Sequence, residues 1–212
     1  MKTIAVISQK GGAGKTTIAL NLAVAAVRSG HPCAVIDIDP QASAKCWHDH
    51  RQGDSPIVVS AQASRLSEIL ETAKRNGAEL VIIDTAPHSE SSALAAARLA
   101  DLVLVPCRPS LLDLKAITTT IDLAALAKTP ALAVLNTVPV KGGLKSDAEL
   151  VLKSYGVEIA SVTLGHRIAF VHSLTVGQGV VEYEPEGKAA EEINGLFRAI
   201  CCHCQWKFLI GK

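Results

Sequence analysis

Lys10-Gly11-Gly12-Ala13-Gly14-Lys15-Thr16-Thr17 is the stretch on which the fold of this chain turns. Just before it, Thr3 to Ser8 is an almost unbroken apolar run, the pattern of a strand covered on both faces. Just after it, Lys15 to Arg28 spaces its apolar residues helically, and Gly30 stands where a helix C-cap belongs. Strand, glycine loop and helix in that order make a phosphate cradle. The glycines let backbone N–H groups curl around phosphate oxygens, and the helix N-terminus adds partial positive charge. The usual G-x-x-x-x-G-K-[ST] finds no glycine at its first position here, and the loop fits the deviant form K-G-G-x-G-K-T-T instead. Gly11, Gly12, Ala13 and Gly14 would supply the backbone of the cradle. Lys15 would reach the β- and γ-phosphates, the Thr16 hydroxyl would bind Mg²⁺, and Thr17 would donate to an α-phosphate oxygen. Lys10 cannot occupy the place of Lys15. A second ammonium there would stabilise charge developing in phosphoryl transfer, and a solvated surface lysine is the competing reading.

The alternation continues outward. Cys33 to Ile38, Leu80 to Ile83, Leu102 to Val105, Ala131 to Leu135 and Ile159 to Thr163 read as strands. Between and after them, helices are expected over Ser64 to Asn76, Ser89 to Arg98, Leu112 to Lys128, Ser146 to Tyr155 and Gly187 to Ile200. Such alternation implies an α/β fold: one doubly wound, mostly parallel sheet with helices on both faces. The expected organisation is one ATPase-type domain over residues 1–200, with a short cysteine-rich, apolar tail over 201–212.

Composition narrows the function classes. The 212 residues carry 21 Lys+Arg against 20 Asp+Glu, so neither a polybasic coat nor an acidic tail is present. Aromatics make up only 3%, which leaves the core to Val, Ile, Leu and Ala. No apolar run approaches the roughly 20 residues of a membrane span. The first residues form a strand rather than a cleavable leader, and the six cysteines suit a reduced, cytoplasmic protein. Cys33, Cys46 and Cys107 are expected to be buried.

Two acidic segments complete the candidate site. Val35-Ile36-Asp37-Ile38-Asp39-Pro40-Gln41 ends a strand with two carboxylates on one side of it, at the end where open α/β sheets bind ligands. A cation explains such a pair, and a cap for the following turn is the alternative for them. Leu80-Val81-Ile82-Ile83-Asp84 is an apolar strand closed by one Asp, the form that holds Mg²⁺ through water. His88 follows it as a lesser candidate for sensing the γ-phosphate.

The loop Lys10 to Thr17 resembles the signature of the ParA/MinD family of deviant Walker ATPases. The segment Asp37-Ile38-Asp39-Pro40-Gln41 resembles that family's D-x-D-P-Q switch. Pro106-Cys107-Arg108-Pro109-Ser110-Leu111-Leu112-Asp113 is similar to its P-x-x-P-S segment, and Leu164 to Arg167 with Val180 to Tyr183 resemble small ParF-like partition proteins. The resemblance implies that Lys10 acts across an ATP-sandwich homodimer, Asp39 orients the attacking water, Asp37 supports the magnesium shell and Asn136 reads the adenine. It also implies ATP and Mg²⁺ as cofactors, weak hydrolysis stimulated by a ParB-type partner, and an ATP-bound dimer on nonspecific DNA of the nucleoid, distributing plasmid or chromosomal cargo.

Charge does not demonstrate DNA binding. From residue 137 onward, Lys141, Lys145, Lys153, Arg167, Lys188, Arg198, Lys207 and Lys212 face eight acidic residues, so binding needs Lys141, Lys145, Lys153, Arg167 and Arg198 to cluster. Two rivals share the fold. A MinD-like membrane ATPase would use Trp206 to Lys212 as an amphipathic anchor. An iron–sulfur carrier would use the C-x-x-C within Cys201-Cys202-His203-Cys204.

Overall fold

The computed structural model describes residues 1–206. Seven strands lie in one parallel sheet: β1 (Lys2–Val6), β2 (Cys33–Asp37), β3 (Ile57–Ser60), β4 (Leu80–Asp84), β5 (Leu102–Cys107), β6 (Ala131–Leu135) and β7 (Glu158–Ile159). Their spatial order is β3-β2-β4-β1-β5-β6-β7. From β1 the chain runs outward through β2 to β3, returns to β4 and then runs outward the other way through β5, β6 and β7, which places a ligand crevice at the C-terminal end of β1.

Nine α-helices are described: α1 (Lys15–Arg28), α2 (Ser43–Asp49), α3 (Leu66–Arg75), α4 (Glu90–Leu99), α5 (Leu111–Ala127), α6 (Leu144–Ser154), α7 (Ala169–Thr175), α8 (Val180–Tyr183) and α9 (Lys188–His203). One face of the sheet packs on α1, α7, α8 and α9 through Ile4, Val6, Leu22, Phe170, Ile193 and Leu196. The other packs on α3 to α6 through Ile7, Ile83, Val103, Leu114, Ile117 and Leu152. The central strands β1, β4 and β5 are buried along all but the first residue of β1 and are mostly apolar, because both faces are covered. Helix α1 is buried nearly all round, from Ile18 to Ala26, since α9 and α8 cover the side that faces away from the sheet. This is the doubly wound fold that the alternation implies.

Two differences from the sequence reading concern the ends. The strand expected over Ile159–Thr163 is only Glu158–Ile159, with a single further bridge between Val138 and Gly165. Helix α9 does not stop at Ile200. It runs to His203, and Cys201 and Trp206 join the core, so the first residues of the expected tail belong to the domain. Lys207 to Lys212 lie outside the described residues, and with them most of the expected membrane anchor. No helix among the described residues is long and apolar enough to cross a membrane.

Candidate functional site

The glycine loop leaves β1 and feeds α1 at the centre of the sheet. Gly12 at φ +73° and Gly14 at φ +92° hold left-handed conformations that side chains other than glycine rarely adopt. No acidic residue stands in the first turn of α1, and no side chain caps it, so its N–H groups face an anion site. The Lys15 side chain is buried beneath the loop. Burial pushes its ammonium pKa down, against the opposing pull of the Asp84 and Asp39 carboxylates. All eight loop residues therefore sit together around one cradle.

The acidic residues come in from β2 and β4. Asp37 and Asp84 occupy one register position, beside Val6 at the end of β1. Asp84 is fully buried, and neither of its carboxylate oxygens has a hydrogen-bond partner. Burial pushes its pKa up to about 7, Asp37 and Asp39 add to the rise, and Lys15 opposes it. The Thr16 hydroxyl is near enough to favour the charged form without meeting hydrogen-bond geometry. A bare carboxylate this deep is costly unless a cation joins it. Asp84 and Thr16 thus fit a Mg²⁺ ion, which takes hard oxygen ligands.

Asp37 holds the turn that follows β2. Its Oδ1 accepts from the Asp39 N–H at 3.0 Å, and its Oδ2 accepts from the N–H groups of Ala44 at 2.9 Å and Lys45 at 3.2 Å. Three backbone donors make this carboxylate a cap of the turn after β2, and the acceptor capacity left on Oδ1 is what it could still offer to a magnesium ion's water shell. Asp39 stands beyond it, half-buried, with Oδ1 accepting from Gln41 N–H at 2.9 Å, and its charge acts on both Lys15 and Asp84. Asp37 therefore fixes the loop that aims Asp39 at the cradle.

Lys10 lies at the cradle's outer rim, where its Nζ pairs with Asp113 Oδ1 at 3.1 Å. Burial tends to raise the Asp113 pKa, but the Ser110 hydroxyl, Lys10 and Arg108 together hold it below the ordinary value. Arg108, in the loop between β5 and α5, donates from Nη2 to the Gly12 carbonyl. Asn136 is also on the loop. Its Nδ2 donates to the Ala13 carbonyl at 2.8 Å, and its Oδ1 accepts from Thr137 N–H at 2.8 Å. The amide expected to read adenine is occupied by the glycine loop in this structure. His88 is exposed at φ +56°, after the end of β4.

Sequence reading missed several supports. The Thr85 hydroxyl donates to the Val6 carbonyl at 2.9 Å, tying the Asp84 strand to the glycine-loop strand. Asn21, fully buried on α1, donates to Thr17 O and accepts from Val180 N–H, both at 2.8 Å. Only its polarity within an apolar helix signals a role. Arg51 makes a two-pronged ion pair with Glu182 at 2.7 and 2.8 Å and donates to Gly177 O.

The other candidates disperse. Arg167 is engaged by Glu192 at 2.6 Å, and Lys145 by Glu149 at 3.8 Å, so two of the five proposed DNA cations are partly neutralised. Cys33 and Cys107 are buried as expected, whereas Cys46 is exposed because it lies on the outer side of α2. Burial pushes the Cys201 thiol up to about 12 and the Cys204 thiol up to about 11. No group of three or more His, Cys, Asp or Glu side chains among the described residues could hold a metal.

Comparison with known proteins agrees with this fold. The family model described as the CobQ/CobB/MinD/ParA nucleotide-binding domain matches residues 4–180. Two relatives, both named maintenance of carboxysome distribution protein A, align along nearly their whole length. That from Gloeobacter kilaueensis is 30% identical over 94% of this chain and 92% of its own. That from Halothiobacillus neapolitanus is 28% identical over 93% and 95%. Protein ParA of Rhizobium radiobacter is 33% identical over 53% of this chain and 51% of its own. Among solved structures, apo McdA of Cyanothece superposes with a TM-score of 0.79 at 17% identity, covering 94% of this chain and 99% of that one. MinD of Pyrococcus horikoshii, complexed with Mg-ADP, gives 0.76 at 20% over 94% and 95%. At these identities the structural likeness speaks for the fold.

Proposed function

Since this chain belongs to the CobQ/CobB/MinD/ParA nucleotide-binding domain family, we propose that it is an ATP-hydrolysing positioning protein that distributes a large cargo. The observation that carries this reading is the pairing of a complete K-G-G-A-G-K-T-T loop with the buried, unpartnered Asp84 carboxylate beside Thr16. Lys15 and the loop N–H groups bind the phosphates of ATP. Thr16 and Asp84 hold Mg²⁺, which when bound neutralises phosphate charge. Asp39, aimed by Asp37, orients the attacking water. Lys10 leaves Asp113 when two ATP-loaded chains meet and stabilises charge on the partner's nucleotide.

The cargo follows from the same reading at the level of class. Partition of plasmid or chromosomal DNA through nonspecific DNA binding, with a ParB-type stimulator, is one form. Distribution of a carboxysome-like body is a second, favoured by the nearly full-length alignment with the two carboxysome-distribution proteins. In either form the proposed carrier is a nucleotide-switched dimer of this chain on DNA. Its DNA contact would come from Lys141 and Lys153, before and on α6, which no ion pair described here occupies; Arg198 is carried on α9, against the opposite face of the sheet, and does not join them.

Parallel co-sedimentation with duplex DNA and with anionic liposomes, under ADP or ATP plus Mg²⁺, tests this. DNA retention only with ATP is the expected outcome, and it should weaken as salt rises. Retention on liposomes alone would replace DNA with a membrane as the carrier. Lys15→Gln should bind neither nucleotide nor DNA.

A further inference from the structure

Two neighbouring carbonyls of the glycine loop are each held by a side chain from another strand's end. Arg108, immediately after β5, takes the Gly12 carbonyl. Asn136, immediately after β6, takes the Ala13 carbonyl at 2.8 Å. The two are joined at their base, because the Asn136 N–H donates to the Cys107 carbonyl at 2.8 Å. The packing is close: a Cβ at Gly14 would collide with the Asn136 amide, and one at Gly12 would lie 3.2 Å from Arg108 Nη2. Contacts this tight leave the loop little freedom to turn.

A trans peptide is planar, with its C=O and N–H pointing in opposite directions. The Gly12–Ala13 and Ala13–Gly14 bonds are trans. Drawing the Gly12 carbonyl toward Arg108 therefore turns the Ala13 N–H the other way, and drawing the Ala13 carbonyl toward Asn136 turns the Gly14 N–H likewise. Left to itself, a run with Gly11, Gly12 and Gly14 could flip these peptides at little energetic cost.

We infer that Arg108 and Asn136 are positioning residues that pre-orient the Ala13 and Gly14 N–H groups for a nucleotide's phosphates. This rests on the nucleotide-binding reading and deepens it. Neither side chain is assigned a contact with base or phosphate. The guanidinium is exposed on the outer side of the loop, and the Asn136 amide is already occupied on both its atoms.

Calorimetric titration of the full chain with Mg·ADP, Mg·ATP and Mg·GDP tests the idea. Arg108→Ala and Asn136→Ala should each weaken all three by a similar factor, about tenfold, the scale of a hydrogen bond to a charged group. Arg108→Lys, which keeps a donor, should recover part of the loss. The ADP-to-GDP and ATP-to-ADP ratios should stay as in the wild type. Arg108→Ala weakening Mg·ATP alone would show a γ-phosphate contact and overturn the inference for that residue. Asn136→Ala erasing the preference for ADP over GDP would make it a base reader and overturn its half. Unchanged affinities would overturn both. Should Asn136→Ala fail to fold, Asn136→Ser takes its place. If the wild type binds none of the three, the nucleotide reading itself falls. The brace is then judged by the amide ¹⁵N shifts of Ala13 and Gly14 in the ligand-free protein: movement in the variants supports it, and fixed shifts overturn it.

Discussion

Asp84 concentrates the chemistry of the site in one side chain. It ends β4 under the glycine loop, fully buried, with both oxygens unpartnered and its pKa raised to about 7 by desolvation first and by Asp37 second. A carboxyl whose folded pKa lies above its unfolded value favours folding below the unfolded pKa, and that contribution is lost as pH rises through 7. The ligand-free protein should therefore lose stability between about pH 4 and pH 7 on account of this group. Asp84→Asn removes the buried charge while keeping the shape. Its melting temperature should exceed that of the wild type at pH 8, by about 2–4 °C per kcal/mol recovered, and the difference should shrink as pH falls and close near about pH 4. The same variant should lose the added stability that Mg²⁺ with ADP gives the wild type. Equal melting temperatures at both pH values would mean that Asp84 is not the strained carboxylate described. Lys10 belongs to this scale too. Its partner Asp113 lies in the same chain, so any action on a second chain's nucleotide begins by breaking that ion pair.

At the scale of elements, the local signals were legible and the long-range ones were not. Helix α1 and strand β6 begin and end at the residues their periodicity indicates, because each is bounded by its own glycine or apolar run. Helix α2 was missed: its start is set by Asp37 reaching forward to Ala44 and Lys45, and Ala42 before it sits at φ +49°. Strand β3 has four residues with only Val58 buried, too little for a period to show. Helices α7 and α8 are short, and α8 depends on partners far along the chain, Asn21 for its start and Arg51 for Glu182 within it. The site divides in the same way. The loop and Asp84 read directly, whereas Arg108 on Gly12 and Asn136 on Ala13 span 96 and 123 residues.

The Arg51–Glu182 pair also gives an element-scale prediction. Burial tends to raise the Glu182 pKa, yet the Arg51 hydrogen bonds and charge hold it below the ordinary value. Its contribution to stability is therefore present at neutral pH and fades on acidification. Arg51→Ala should cost about 3 kcal/mol in urea unfolding at pH 7, because it leaves a half-buried carboxylate alone. Arg51→Ala with Glu182→Gln should recover part of that loss. A single variant as stable as the wild type would remove this tie between the loop after α2 and α8.

The whole molecule is a sheet whose central crevice gathers a glycine loop, the buried Asp84 carboxylate fitted to a cation and the Asp39 carboxylate proposed to orient water, with Lys10 at the rim. That arrangement makes nucleotide state the natural control over association with a second copy, since Lys10 and the exposed Leu111 and Leu112 lie on the same side as the cradle's mouth. The measurement that tests this most directly is light-scattering mass of Asp39→Ala with Mg²⁺ and either ATP or ADP. With ATP the mass should rise from 22.2 kDa to twice that value, and with ADP it should stay at 22.2 kDa. Lys15→Gln should remain monomeric with both. A mass that does not respond to ATP, or that responds equally in Lys15→Gln, would contradict a nucleotide-switched dimer.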